Sequence, residues 1–366
     1  MPIKSDPVSL LVGGQSEAGW ESYAIHSDLL IPADAWEVSL GQSTQQLPTT
    51  IAPGAAVQVL IGNDAVLTGL IDDIDESLSM GEHHLSISGR DYGGLLTDCS
   101  APLFTEQQVG LEDVVVKIIS VFGIHNVAIK ATSAGTFQKV STEPGEAAWD
   151  LIQRLAEANG LWPWFEPDGT LVIGGADYSV PVSADLILRY SGKGNNIKAL
   201  NRRRSIVDRF SEITVLGQSA GNAVNDGNAA ILAIATDTSV GTYRPKIIMD
   251  SDADTADIAK KRARKLLMDG RLNGIDLQIC VQGHRVSNDG ALWTPGMRVH
   301  LVSEPHGIDD IFFLMGRSFV RSLNEGTITQ LRLKEDGVWT LDALPEKQAK
   351  KVGNKSPALH IMDTSQ

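Results

Sequence analysis

The chain has 366 residues, 42% of them apolar and only 5% aromatic, and a formal net charge of −14. That length allows two to four domains, and no apolar run approaches the ~20 residues of a membrane-spanning helix. The acidic balance argues against general affinity for DNA, which needs clustered Lys and Arg. Met1-Pro2-Ile3-Lys4-Ser5-Asp6 lacks the basic-then-apolar layout of a secretory signal, so synthesis and assembly in the cytoplasm are expected. Cys99 and Cys280 sit in no ligand-spaced cluster, so they read as small buried hydrophobes, with a disulfide left open.

The first 100 residues are expected to be mostly β. Val8–Val12 and Trp36–Leu40 are short strand candidates, and Pro53-Gly54 is a turn running into the alternating strand at 57–61. A long hairpin follows from Gly69 to Asp91, turning near Ser79-Met80-Gly81-Glu82. Its first arm is expected to place Val66, Thr68, Leu70, Ile74 and Leu78 on one face, with Asp72 and Glu76 interrupting. In its return arm Leu85 and Ile87 alternate with Ser86 and Ser88.

Between 101 and 195 the periodicity changes. Leu111, Val114, Val115, Ile118, Ile119 and Phe122 fall at helical spacing, with Gly123 as a stop. A second helix is expected from Glu146 to Asn159, ended by Gly160. Leu161–Phe165 and Thr170–Ile173 then flank Glu166-Pro167-Asp168-Gly169, a hairpin turn. Helix followed by hairpin is a compact α+β unit.

From 196 the β pattern returns with Ser211–Leu216. Gly217–Ala230 reads as a surface loop and 253–269 as a helix with acids early and bases late, as the helix dipole prefers. Strands are expected at 275–283, 297–303, 311–321 and 327–334. Residues after Leu341 look like a weakly ordered tail. The second of these strands opens on Pro295-Gly296, and a hairpin from Gly316 to Lys334 turns at Asn324-Glu325-Gly326. A Pro-Gly strand followed by a hairpin therefore occurs twice, about 240 residues apart, which suggests a duplicated barrel or sandwich.

Chemistry-bearing constellations are sparse. Asp250-Ser251-Asp252-Ala253-Asp254 opens like a calcium loop, but Thr255 and Lys261 occupy the positions that need Gly and a bidentate carboxylate; an acidic helix start explains it. Asp72, Asp73, Asp75 and Glu76 are the densest carboxylate cluster. Simple alternation puts Asp72 with Glu76 and Asp73 with Asp75, so no tight catalytic pair results. His83 and His84 point to opposite faces, a poor chelate. Arg202-Arg203-Arg204 could clasp an acidic neighbouring subunit or a phosphate, or simply be solvated. The sequence has no Gly-x-Ser-x-Gly elbow, phosphate loop, CxxC or HExxH, so no enzyme or cofactor is expected.

Gly89-Arg90-Asp91-Tyr92-Gly93-Gly94-Leu95-Leu96-Thr97-Asp98-Cys99-Ser100-Ala101-Pro102 resembles a segment of the baseplate hub proteins of contractile-tailed phages, the P tail protein family of Mu-like phages and prophages. Gly145–Ala156, Gly169–Ile173 and Asn324-Glu325-Gly326-Thr327 carry the same likeness, which extends to about Trp339. It implies a mainly β chain with α+β, two similar β-barrel modules (1–100 and 196–342) flanking a smaller α/β middle domain (101–195), and a tail (343–366).

The resemblance further implies a virion protein that is a homotrimer. Six barrels would form a pseudo-sixfold ring between the hexameric tail tube and the trimeric spike, leaving a channel for DNA. Asp72, Asp73, Asp75 and Glu76 are candidates for an acidic channel wall that repels phosphate, and Arg202, Arg203 and Arg204 for a subunit or partner contact. No membrane anchor and no sequence-specific nucleic-acid binding are expected. Two alternatives remain: a tail-associated glycan-binding or hydrolytic protein using Trp162 and Trp164 as stacking platforms, where packing on the 146–159 helix is the other use of those rings, and a self-sufficient cytosolic monomer.

Overall fold

The computed structural model describes residues 6–41, 48–80, 82–131, 136–218, 230–250, 253, 255–287, 290–339 and 360–362. The expected 217–230 loop, Asp252, Asp254 and the tail after 342 fall largely outside them. The chain begins with seven strands: β1 (Val8–Val12), β2 (Gln15–Ala18), β3 (Ser22–Asp28), β4 (Ala35–Gly41), β5 (Ala56–Ile61), β6 (Asp64–Ser79) and β7 (Glu82–Asp91). Period-two burial drives them: Val8, Leu10 and Val12 of β1, and Val57, Val59 and Ile61 of β5, all point into the core.

A middle region follows: α1 (Tyr92–Asp98), β8 (Thr105–Gly110), α2 (Leu111–Ser120), β9 (Val127–Ile129), β10 (Thr136–Ser141), α3 (Ala148–Ala158), β11 (Trp162–Phe165) and β12 (Leu171–Gly174). Asp91 caps α1 by accepting from the Gly93 amide at 2.8 Å. The β11–β12 hairpin forms where the Pro-Asp-Gly signal places it, and β9 joins it in parallel.

The remaining elements are β13 (Val182–Leu188), β14 (Ile197–Arg204), β15 (Glu212–Gln218), β16 (Ala230–Thr236), β17 (Pro245–Met249), α4 (Ala256–Asn273), β18 (Ile275–Gln282), β19 (Arg298–Ser303), β20 (Ile308–Ser322), β21 (Gly326–Glu335) and β22 (His360–Met362). α4 starts later than expected because the Thr255 hydroxyl caps it, accepting from the Ile258 amide. Its buried face packs on β15 and β16 and enters the same apolar cluster as α2 and α3, through Ile258, Ala263 and Leu267.

Thirteen strands form one sheet, ordered β14-β18-β21-β20-β3-β4-β7-β6-β5-β1-β2, with β19 and β13 branching from β20. The order contains the same arrangement twice. Strands β1, β5, β6, β7, β4 and β3 lie side by side in the first half, and β13, β19, β20, β21, β18 and β14 do so in the second. The two sets also occur in the same chain order.

Local geometry repeats with equal fidelity. Gly54 donates to the Ile71 carbonyl at 2.8 Å and Ile71 returns the bond to Ala55; Gly296 donates to Leu314 at 2.8 Å and Leu314 returns it to Met297. Both glycines have positive φ, 82° and 97°. Just beyond Ile71 and Leu314 each long strand carries one extra residue, Asp72 or Met315. Divergence consists of additions, β2 in the first set and β15–β17 with α4 between β14 and β18 in the second, and of one reversal, a parallel β13–β19 pair where β1–β5 is antiparallel.

Strand pairing closes neither set into a barrel among the described residues. In the second set the two end strands are nevertheless drawn together by Asn196. Its backbone amide donates to the Ile187 carbonyl at 3.2 Å, its side-chain carbonyl accepts from the Ile187 amide at 2.7 Å, and its side-chain amide donates to the Asp185 carbonyl. The halves are fused by β20. Its first part pairs with β19; after the Met315 bulge its second part pairs with β3, from Gly316–Asp28 to Arg321–Tyr23. Arg332 reinforces this seam by bonding Asp28 and Asp276 at 2.6 and 2.9 Å. A shared core runs from Val8 to Leu333 across it.

Candidate functional site

The first-arm face expected from simple alternation is corrected by the structure. Leu67, Gly69 and Ile71, rather than Thr68 and Leu70, are buried, because Val66 and Asp72 are both bulged extra residues and each reverses the alternation. Past the second bulge, Ile74 and Glu76 lie opposite Ile87 and Leu85 on the core side of the sheet, while Asp73 and Asp75 lie opposite Ser88 and Ser86 on the other. Asp72 separates from Glu76. It accepts from Arg90 Nε at 2.6 Å, and Arg90 also grips Asp98 with two bonds.

The distal part of β6 is an open edge. β5 reaches only from Asp64 to Leu70, whereas β7 accompanies the other side to Ser79. From Asp73 onward no strand pairs with the β5-side edge among the described residues. Its tip is apolar and unprotected: Leu78 is 81% exposed.

Arg202, Arg203 and Arg204 lie on β14, a strand absent from the sequence-based expectation. β14 pairs with β18 alone, leaving its outer edge without a strand partner among the described residues. Arg202 is half-buried and donates to the His306 carbonyl at 3.0 Å. Arg203 and Arg204 are exposed. Six strands separate β14 from β6, so one chain does not bring the acidic and basic edges together.

The seam between the halves holds buried polar groups that sequence reasoning missed. The Arg317 guanidinium is buried, donates to the Ile25 and Val66 carbonyls and stacks 4.0 Å from the Phe319 ring; burial lowers its pKa to about 10. His284, 5% exposed, contacts the Tyr23 hydroxyl at 2.9 Å and the Thr329 hydroxyl at 3.0 Å. Desolvation depresses it to about 3, so it stays neutral near pH 7. Burial pushes Asp34 up to about 6 and Asp91 well above the ordinary carboxylate range, the latter also by repulsion from Asp34. Nothing in the local sequence signals Arg317 or His284, because Ile25, Val66 and Tyr23 reach them from the opposite half of the chain, whereas Asp34 and Asp91 are bonded locally, by the Asp28 and Gly93 amides.

Trp162 and Trp164 are packed rather than presented. Trp164 is 7% exposed, lies against Trp339 with ring centroids 6.1 Å apart, and donates to Glu166 at 3.3 Å. Trp162 is half-buried, with the Lys265 ammonium 4.8 Å from its ring centroid. Cys99 and Cys280 are both free thiols. Among the described residues no three His, Cys, Asp or Glu side chains converge to hold a metal ion, and no helix is long and apolar enough to cross a membrane.

Two similarly ordered strand sets are fused edge to edge, and the acidic distal β6 and basic β14 edges have no strand partner among the described residues. Family models identify the kind of protein. Residues 7–91 match the N-terminal domain of the Mu phage baseplate assembly protein GpP-like family, and residues 93–175 the second domain of gp44-like baseplate hub proteins. Residues 209–267 and 269–338 match the third and C-terminal domains of NMB1110-like tail proteins. A tail protein from Neisseria meningitidis MC58 is 40% identical, with 93% of this chain and all of that chain covered at a TM-score of 0.81. The 43 kDa tail protein of prophage MuSo2 from Shewanella oneidensis is 27% identical over 90% of this chain and 98% of its own, at 0.77. The baseplate hub protein gp44 of Escherichia phage Mu is 24% identical over 370 residues, 98% of this chain and 95% of that protein. The chain belongs to the Mu-like phage tail protein family that includes the gp44-type baseplate hubs.

Proposed function

We propose that this protein is the trimeric hub of a phage or prophage baseplate, a ring that joins the tail tube to the spike. The observation that carries the reading is the duplication: six strands in the same chain order and spatial order, with the same reciprocal hydrogen bonds at Gly54–Ile71 and Gly296–Leu314. Three chains of two equivalent modules present six similar units. Such a ring matches a sixfold tube on one side and a threefold spike on the other, and closed symmetry satisfies edges that one chain leaves open. Each six-strand set would act as a barrel, the second drawn shut by Asn196. The middle region and the α4 insertion, which share one core, would form the ring's outer or lower tier. A central channel would pass DNA after the spike leaves, and the protein would reside in the virion.

The glycan-binding alternative loses its stacking platforms, since Trp162 and Trp164 are engaged in packing. Light scattering on a size-exclusion column tests the hub reading. A mass three times that of the 39.3 kDa chain, with images showing a six-lobed ring around a hole, is the expected result. A monomer at high concentration overturns it.

A further inference from the structure

The seam inside one chain is a template for a contact between chains. Corresponding rows of residues run across the two modules: Ile25, Trp36, Gly89 and Ile71 in the first, and Arg202, Leu277, Leu333 and Leu314 in the second, each opposite the next. Strand β3 thus corresponds to β14, and β6 to β20. Within the chain, the distal half of β20 pairs with the outer edge of β3. The corresponding edges, distal β6 and outer β14, are the two described above as open.

We propose that distal β6 of one chain pairs antiparallel with β14 of a second copy of this chain, reproducing the β20–β3 seam between subunits. This rests on the trimeric-ring reading and supplies its interface. The correspondence fixes the register. Ser318 faces His26 in the intact seam, their side chains bonded at 2.7 Å; the equivalent pair between chains is Asp75 with Arg203. Phe319 faces Ile25, and its equivalent is Glu76 with Arg202. Arg321 faces Tyr23, and its equivalent is Leu78 with Leu200.

The register was set by strand pairing alone, yet it brings the acidic run directly against the basic one. Direct cross-strand pairs of opposite charge stabilise a sheet, and adding a strand to a free edge satisfies its main-chain donors and acceptors. Leu78, 81% exposed, would meet Leu200, which already packs against the main core. The contact is head-to-tail, so it either closes into a ring or extends without limit; in a closed ring of three chains, internal and inter-chain seams alternate around six modules. Asp75 and Glu76 then serve subunit recognition rather than a channel wall. The pairing also gives an acidic partner to Arg203, which is exposed on β14.

The test uses the full chain and reverses charge on each edge. Asp75→Arg/Glu76→Arg and Arg202→Glu/Arg203→Glu should each weaken trimer formation about 100-fold or more, the scale of juxtaposed like charge at an interface, as read by sedimentation equilibrium. Combining all four substitutions in one chain should restore the trimer. Mixing the two double variants should not, because chains with two basic edges and chains with two acidic edges cannot alternate around a ring of three. Unchanged circular dichroism and thermal melting would verify that each variant folds. A wild-type trimer that survives both reversals refutes this pairing while leaving the hub standing. A wild-type monomer refutes the trimer itself and the pairing with it.

Discussion

Replacing Gly54 or Gly296 with alanine asks whether the two modules are energetically as well as geometrically equivalent. Both glycines have positive φ, and a Cβ at either position would meet nothing within 4 Å. The penalty is therefore backbone strain alone, about 1–2 kcal/mol for an L-residue forced into left-handed space. Alanine also adds about 0.4–1 kcal/mol by reducing the freedom of the unfolded chain wherever its native backbone is unstrained. Here it is strained, so a net loss of about 1 kcal/mol is expected at each site. Because the two modules share one core, a fused unit of about 250 residues should lose about 2–4 °C of melting temperature per kcal/mol, giving similar small drops for the two variants. Gly69→Ala supplies the contrast: its Cβ would lie 2.0 Å from the Arg90 carbonyl oxygen, so the backbone must move, and the loss should be several-fold larger. Differential scanning calorimetry reads all three. Equal losses for Gly54→Ala and Gly69→Ala, or a stabilised Gly54→Ala, would refute the reasoning.

Acid should weaken the seam through His284. Its folded pKa of about 3 lies below the ordinary 6.5, so the folded state binds fewer protons and stability is lost as pH falls below 6.5; urea midpoints between pH 7 and 4 should fall, and His284→Gln should flatten that slope. Asp34 acts in the opposite direction. With its pKa raised to about 6, stability is lost as pH rises from about 4 through 6, and Asp34→Asn, which keeps an acceptor for the Asp28 amide, should remove that loss and be favourable at pH 8. Arg262 joins α4 to α3 by pairing with Glu157, and also bonds Asp250 at 3.0 Å. Arg262→Ala should cost about 2–3 kcal/mol, since it removes charge-assisted bonds to two largely buried carboxylates, of which Glu157 still keeps Gln153, and should speed limited proteolysis around α4. An unchanged cleavage rate would mean that apolar packing alone holds the helix.

Features encoded over a few residues were legible. The two Pro-Gly turns need positive φ, which the residue type supplies directly, and the strands and hairpins following both formed. Helical spacing in Leu111–Ile119 and Leu151–Leu155 located α2 and α3. β13 and β14 escaped notice because Val182–Leu188 and Ile197–Arg204 show little alternation: they are edge strands held by main-chain bonds more than by burial. The acidic run was visible, but the assignment of its faces was not, since single-residue bulges at Val66 and Asp72 depend on what the neighbouring strands require.

By itself, therefore, the sequence determined the local vocabulary: two related β-modules, two amphipathic helices with a hairpin between the modules, and two charged runs of opposite sign. Those follow from backbone preference and periodicity, which act over a turn or a strand. Only the tertiary structure decided that β20 leaves β19 at Met315 to pair with β3, that Arg317 and His284 are buried at that junction, and that distal β6 and β14 each keep an edge with no strand partner among the described residues. These are choices among strand edges, and main-chain donors and acceptors look alike in every residue. Which edge meets which is settled by three-dimensional register, where residues nearly 300 positions apart become neighbours.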